Sequence, residues 1–431
     1  MNGELVGTWK VDRYVHTFTY ERSWIDSPRR RSLSLSLPIS AAREVKGEAV
    51  RNYFDNLLPD NEKIRTRLGK RFGADPADVF DLLQAIGRDC VGAVQLLPEN
   101  QAPQHVDRID AEPLADEQVA ELLAAVPSDN MAELDEEDTI RISIAGAQEK
   151  TALLYWRGQW HKPLGATPTT HIIKLPLGLI GGSRRVDAGD SVHNEWLCAR
   201  ILDALGLPVA DSQIARFGGQ DVLVVERFDR AWQHQRWIAR LPQEDFCQAW
   251  GISPEKKYET DGGPGIMRCL ELLQGSQDRN DTALFLLTQL SFTLLAATDG
   301  HAKNFSIFLN PGDAYTMTPL YDVLSMWPYY GQGPNQFQPR KAGPAMVIRG
   351  KNPHKLFHTI KARHWRELAF KNGGEVIWHA MIDLLTRVPY ALTKVKDQLP
   401  QDFPERTWMR IADGMQTEAR RFIDEIETDK L

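Results

Sequence analysis

The stretch from Ala283 to Thr298, ALFLLTQLSFTLLAAT, is too apolar to lie in water and too short to cross a bilayer. Gln289 interrupts it, which also disfavours a membrane span. It reads as a buried helix. A helix that is apolar all round needs protein on every side. The chain must therefore build a thick core, and 431 residues suffice for that, with room for two or three domains. The run ends directly in DGHAKN, so Asp299 and Asn304 are delivered from the end of a buried element.

The text before that helix has a different period. Residues 7–20, GTWKVDRYVHTFTY, are rich in aromatic and β-branched residues and predict strand. SLSLSLP (32–38) alternates with period two and predicts a half-buried strand. SPRRRS between them predicts a loop. VRNYFDNLLPDN spaces its apolar residues along one helix face, and VGAVQLLPE (91–99) predicts another strand. Residues 100–138 are acidic and contain prolines, which places a domain boundary near 138. IRISIAG, TALLYW, THIIKLP and DVLVVERFD then predict short strands, and the chain turns mainly helical after residue 240. The expected class is α+β. A small N-terminal domain with an antiparallel sheet (1–138) precedes a larger, mostly helical domain (139–431) that begins with a short sheet.

Charge and cysteines narrow the setting. The net charge of −7 offers no bulk attraction for nucleic acid, so any DNA contact would need a local patch. Cys90, Cys198, Cys247 and Cys269 form no C-x-x-C pair, which points to reduced thiols in a cytoplasm. The polar start MNGELVGTWKVDRY lacks an apolar signal core.

Several polar residues stand at the ends of apolar elements, in a telling order. Lys174 ends HIIK, Glu195 lies within VHNEWLCARIL, Asp299 and Asn304 frame DGHAKN, and Asp322 follows in PLYDVLS. Phosphoryl transfer needs a cation on the nucleotide phosphates, oxygen ligands for Mg²⁺ and a carboxylate for the attacking hydroxyl. Protein kinases present strand Lys, helix Glu, D-x-x-x-x-N and metal Asp in this order. Singly, each has a plainer reading: Lys174 as a solvated edge charge, Glu195 as an exposed helix residue, Asp322 as a turn or cap. No G-x-G-x-x-G, H-R-D or D-F-G is present, so a conventional eukaryotic-type kinase is disfavoured. AGAQEK (145–150) could supply a phosphate loop through Gly146 and Lys150, or be a hairpin turn with a surface lysine.

Longer strings carry a resemblance. ISIAGAQEKTALL, NYFDNLLPDN (52–61), IGRDCVGAVQLLPE (86–99), TPTTHIIKLP (167–176), VERFDR (225–230), LPQEDFCQ (241–248), YETDGGPGI (258–266) and ATDGHAKNFS (297–306) together resemble the HipA family, kinase toxins of bacterial toxin–antitoxin modules. The resemblance spans about residues 33–326 and is looser beyond 327.

It implies an ATP- and Mg²⁺-dependent serine/threonine kinase in the bacterial cytoplasm, with Asp299 as catalytic base and Asn304 and Asp322 as Mg²⁺ ligands. Lys174 would contact phosphate, and Glu226, Arg227 and Phe228 would hold adenine. Gly300, His301 and Tyr321 would line the nucleotide. Ala145, Gly146, Ala147, Gln148, Glu149 and Lys150 would form the phosphate loop. Ser143 matches a serine at which the family autophosphorylates. A phosphate there would place nearly two negative charges beside a loop meant for ATP's own phosphates, and so oppose its closure. Implied partners are a HipB-like helix-turn-helix antitoxin, operator DNA bound through that complex, and glutamyl-tRNA synthetase as substrate. No membrane partner is implied. Growth arrest and persistence would follow, and with the antitoxin the chain would act as a corepressor. The competing readings are a catalytically silent corepressor module and a small-molecule kinase.

Residues 340–371 hold nine Lys or Arg residues and only Glu367 as an acid. This is a solvated surface or an auxiliary contact to the DNA backbone through Lys361, Arg363, Arg366 and Lys371.

Overall fold

The computed structural model describes residues 1–127, 145–146 and 148–428. The chain forms two compact units. The first comprises Met1–Leu175, Ala215–Lys257 and Ser306–Thr318, and the second Pro176–Ile214, Tyr258–Phe305 and Pro319–Leu431. The boundary expected near residue 138 lies outside the described residues, as do Ser143 and Ala147. The expected mixture of helices and antiparallel sheets is what is observed.

In the first unit, the strands Gly7–Asp12 and Val15–Tyr20 form a hairpin where strand was expected over 7–20. Arg13 and Tyr14 both take positive φ at its two-residue tip, the backbone that matches strand twist. Glu44–Lys46 adds a third strand. Phe18 and Tyr20 from this sheet pack on Tyr53 and Phe54 of the helix Glu48–Asp55 and on Leu82 and Leu83 of the helix Val79–Ile86.

A second sheet runs in the order Ser212–Phe217, Gln220–Glu226, His171–Lys174, Lys150–Trp156, Gln159–Pro163, Ala111–Leu114. Its core face contributes Leu153, Ile173, Val222 and Val224, covered by Val119 and Leu123 of the helix Asp116–Ala125. A third, antiparallel sheet joins Gln243–Asp245, Ser306–Asn310 and Ala314–Met317.

Two predicted strands are absent. SLSLSLP is a turn closed by the bridge Ser34–Leu37. Its serines bond locally and to a distant carbonyl: Ser34 Oγ accepts from Ser36 N, and Ser36 Oγ donates to Gln248 O at 2.6 Å. Such side-chain bonds compete with a ladder, and the alternation is that of a turn buried on both sides. Residues 91–99 are also irregular. Gly92 takes positive φ, its N–H donates to Asp229 and its carbonyl accepts from Arg230. An ionic cluster takes the bonds that a neighbouring strand would otherwise make.

The second unit is largely helical. The apolar run forms the helix Asp281–Leu294, buried almost all round. Thr288, Ser291 and Thr293 would be unsatisfied in that setting, but each hydroxyl donates to the carbonyl four residues back. The helix Glu405–Thr428 buries a stripe, Ile411, Met415, Ala419 and Phe422, at helical spacing. The helices Ser191–Ala204, Ala362–Asn372 and Glu375–Lys396 complete the packing around it. Among the described residues, no helix is long and apolar enough to cross a membrane.

Candidate active site

The buried helix is capped by Leu295, and Ala296 follows in the left-handed region at φ 49°. Ala297 N–H returns to Phe292 O at 2.8 Å, so the chain reverses sharply and emerges at Asp299. Asp299 is exposed, whereas His301, Ala302, Lys303 and Asn304 are buried. The loop closes on itself: His301 N–H donates to Asp299 O (2.8 Å), Asn304 N–H to His301 O (2.9 Å) and Asn304 Nδ2 to Asp299 O (2.7 Å). With Nδ2 committed, the amide of Asn304 turns its acceptor Oδ1 the other way. Gly300 is required by packing, since a Cβ there would lie 2.6 Å from Phe292 Cε2.

Asp322 lies in a segment bonded to this loop and to the end of the helix that feeds it. Tyr321 Oη donates to Lys303 O (2.9 Å) and Ser325 Oγ to Leu295 O (2.7 Å). Asn194 Nδ2 donates to Ser325 O and Asn194 Oδ1 accepts from Ser325 N–H, which ties in the helix that carries Glu195. Asp322 itself holds φ 60°, a conformation costing about 1–3 kcal/mol for a residue with a side chain. Tyr258 Oη donates to Asp299 Oδ1, and its ring meets the His301 ring edge-on at 4.8 Å. His301 Nε2 lies 3.7 Å from the same Oδ1.

The first unit carries Lys174, Glu226 to Phe228 and the described residues of the segment 145–150. Lys174 is buried in the middle of the six-stranded sheet, which removes its reading as a solvated edge charge. It stands directly opposite Lys150. Gly146 holds φ 115° and bridges to Pro59, and its carbonyl accepts from Asp60 N–H at 3.0 Å. Lys150 Nζ donates to Ala145 O at 2.8 Å, Gln148 Nε2 donates to Leu175 O, and Arg67 pairs with Glu149.

Glu226 is exposed at the end of its strand. The Arg227 guanidinium is fully engaged with Asp89, Asp229, Thr169 and Cys90 O, and its backbone N–H donates to Thr170 O at 2.9 Å. Glu195 is buried in its helix, against its reading as an exposed residue.

In the basic stretch, Lys361 pairs with Glu425 at 3.1 Å and Arg366 lies over the Phe370 ring. Arg363 and Lys371 are exposed, and Glu367 stands midway between them at helical spacing.

Tyr258, Asn194 and Ser325 were not read as site residues from the sequence. Tyr258 opens YETDGGPGI and Asn194 precedes Glu195, but neither position carries a local pattern that announces its partner.

Residues 142–413 match the HipA-like C-terminal domain and residues 1–97 the HipA N-terminal domain. Y4mE of Sinorhizobium fredii, provisionally named a kinase, is 37% identical over 339 residues, 76% of each chain. The serine/threonine-protein kinase toxin HipA of Shewanella oneidensis is 26% identical over 426 residues, covering 92% of this chain and 88% of that protein. The solved complex of Shewanella oneidensis HipA with HipB and operator DNA superposes with a TM-score of 0.80 at 23% identity, over 99% of this chain and 97% of that one, which establishes the fold. The chain belongs to the HipA family.

Proposed function

We propose that this chain is an ATP-dependent serine/threonine protein kinase and the toxin of a toxin–antitoxin module. The observation that carries the reading is the loop 299–304, fed by a buried helix and closed by Asn304 on the backbone of Asp299, with the segment of Asp322 hydrogen-bonded to its Lys303 and to the helix end at Leu295. Asp299 accepts the proton of the attacking hydroxyl. Lys174 and Lys150 receive phosphate, helped by the backbone at Gly146, while the backbone of Glu226 to Phe228 receives adenine. Gly300, His301 and Tyr321 line the nucleotide.

The donor set fits Mg²⁺. That ion is commonly held by one or two carboxylates together with substrate phosphates. Asn304 Oδ1 and the Asp322 carboxylate are hard oxygens of that kind, and among the described residues no cluster of three His, Cys, Asp or Glu suggests a softer metal. When bound, the ion would neutralise charge on the phosphates.

By likeness to the Shewanella complex, the partners are a HipB-like helix-turn-helix antitoxin and, through it, operator DNA, with the chain as corepressor. Glutamyl-tRNA synthetase is the substrate, Ser143 is the autophosphorylation site, and a bacterial cytoplasm is the setting. The testing experiment is phosphoproteomics of cells expressing the wild type or Asp299→Asn. The expected result is a phosphorylated synthetase peptide and phospho-Ser143 in the wild type alone. Identical phosphoproteomes would remove the proposal.

A further inference from the structure

The geometry points to Tyr258 as a positioning residue for phosphoryl transfer, acting through a hydrogen bond from its hydroxyl to Asp299 Oδ1. The inference rests on the kinase reading above and adds a group to it.

Three observations carry it. Asp299 is exposed, with 57% of its side chain accessible, so packing alone does not hold its carboxylate in one rotamer. A carboxylate that must meet an incoming hydroxyl loses rate when it can swing, because productive alignment is then only part of its population. Tyr258 supplies a restraint: its hydroxyl donates to Oδ1. His301, buried at 3% exposure, closes on the same oxygen from the loop side, with Nε2 at 3.7 Å.

The tyrosine is itself held. Its ring stands edge-on to the His301 ring at 4.8 Å and 87°. The turn that follows, Glu259–Asp261, is anchored through Glu259, whose carboxylate accepts from Val347 N–H and pairs with Arg349. Gly265 leaves room for that carboxylate, since a Cβ there would collide with it. Tyr258 O also accepts from Gly263 N–H at 2.9 Å. A tyrosine on so braced a turn is a fixed restraint and not a plug that swings away. Occupying Oδ1 turns the carboxylate about its axis and sets the direction in which Oδ2 points.

The test compares Tyr258→Phe, which keeps the ring on His301 and loses the hydroxyl, with Tyr258→Leu, which loses both. The full-length chain is given [γ-³²P]ATP and Mg²⁺, and self-phosphorylation is followed against ATP concentration. The hydrogen bond is to a charged group, so Tyr258→Phe should lower the saturating rate by roughly tenfold or more and leave the half-saturating ATP concentration within about twofold. Tyr258→Leu should fall at least as far.

A Phe variant at the wild-type rate overturns the inference, because the ring alone would then suffice. A Phe variant faster than wild type also overturns it, since the hydroxyl would be competing with substrate for Asp299. So does phosphate mapped to Tyr258, which would make the hydroxyl an acceptor. A wild-type chain that incorporates no phosphate removes the kinase reading, and this inference with it.

Discussion

Replacing Asp89 by Asn should destabilise the first unit more than any other single isosteric change in it. The Asp89 carboxylate is buried among three guanidinium groups. Oδ1 meets Arg230 Nη2 at 3.0 Å and Arg240 Nε at 3.1 Å, and Oδ2 meets Arg227 Nη1 at 3.4 Å. Oδ2 also accepts from Thr169 N–H and Oγ1. Asp229 is the second acid, bonded to Arg227, Arg230 and Gly92 N–H. Three cations against two anions leave one net positive charge out of water, and Asp89→Asn leaves two.

The amide keeps the volume but turns an N–H₂ toward guanidinium donors that cannot accept from it. Removing one partner of a buried ionic group costs about 3–5 kcal/mol, and this carboxylate serves several partners, so the upper half of that range is expected. The same geometry sets a pH dependence. Burial alone would raise the acid's pKa, but the three arginines and Thr169 hold it well below the ordinary carboxylate range. A folded value below the unfolded one, about 3.9, contributes stability that is complete above about pH 4 and is lost as pH falls toward the folded value. Urea unfolding at neutral pH, followed by circular dichroism, gives the change in free energy. A loss under about 1 kcal/mol would refute the reasoning, because a buried charge imbalance of this size cannot be that cheap.

Other outcomes follow from single contacts. Gly300→Ala should displace the loop 299–304 from Phe292, destabilise the chain by about 1–3 kcal/mol and, on the proposed function, depress phosphoryl transfer more than nucleotide affinity, as measured by calorimetry beside activity. Burial pushes the Glu244 carboxyl up to about 8. Its folded value lies above the unfolded one, so its contribution is complete below about pH 4.5 and lost as pH rises through about 8. Glu244→Gln should therefore flatten thermal stability between about pH 5 and pH 9, and equal slopes in the two proteins would contradict this. Reversing Lys361, Arg363 and Arg366 to Glu should reduce the salt slope of operator binding by the antitoxin complex, and an unchanged slope would remove the DNA role of this stretch.

Much of the fold was legible because period and composition spoke locally. The helix Asp281–Leu294 follows from its apolar run, and Lys174 at the end of HIIK follows from a short strand with one cation. The misreadings occurred where distant groups override the local pattern. SLSLSLP alternates like a strand, but its serines bond to one another and to Gln248 O, more than 200 positions away in the chain. VGAVQLLPE has strand composition, yet Asp229 and Arg230 take its first peptide groups.

Order along the chain points to Asp299, Asn304 and Asp322, and the structure bonds Asn304 to the backbone of Asp299 and Tyr321, beside Asp322, to Lys303. What order along the chain does not encode is a side chain that meets a partner far away in sequence. Asn194 meets Ser325 and Tyr258 meets Asp299, and neither pairing leaves a periodic trace. Arg227 matched a nucleotide-holding segment by position, but its guanidinium belongs to the buried ionic cluster.

The central claim is that Asp299 directs transfer of a phosphoryl group from ATP. The most direct measurement is the intact mass of the purified chain, first treated with phosphatase and then incubated with ATP and Mg²⁺. The wild type should gain the mass of at least one phosphate, and Asp299→Asn should gain none. No gain in the wild type, or an equal gain in both, would contradict the account.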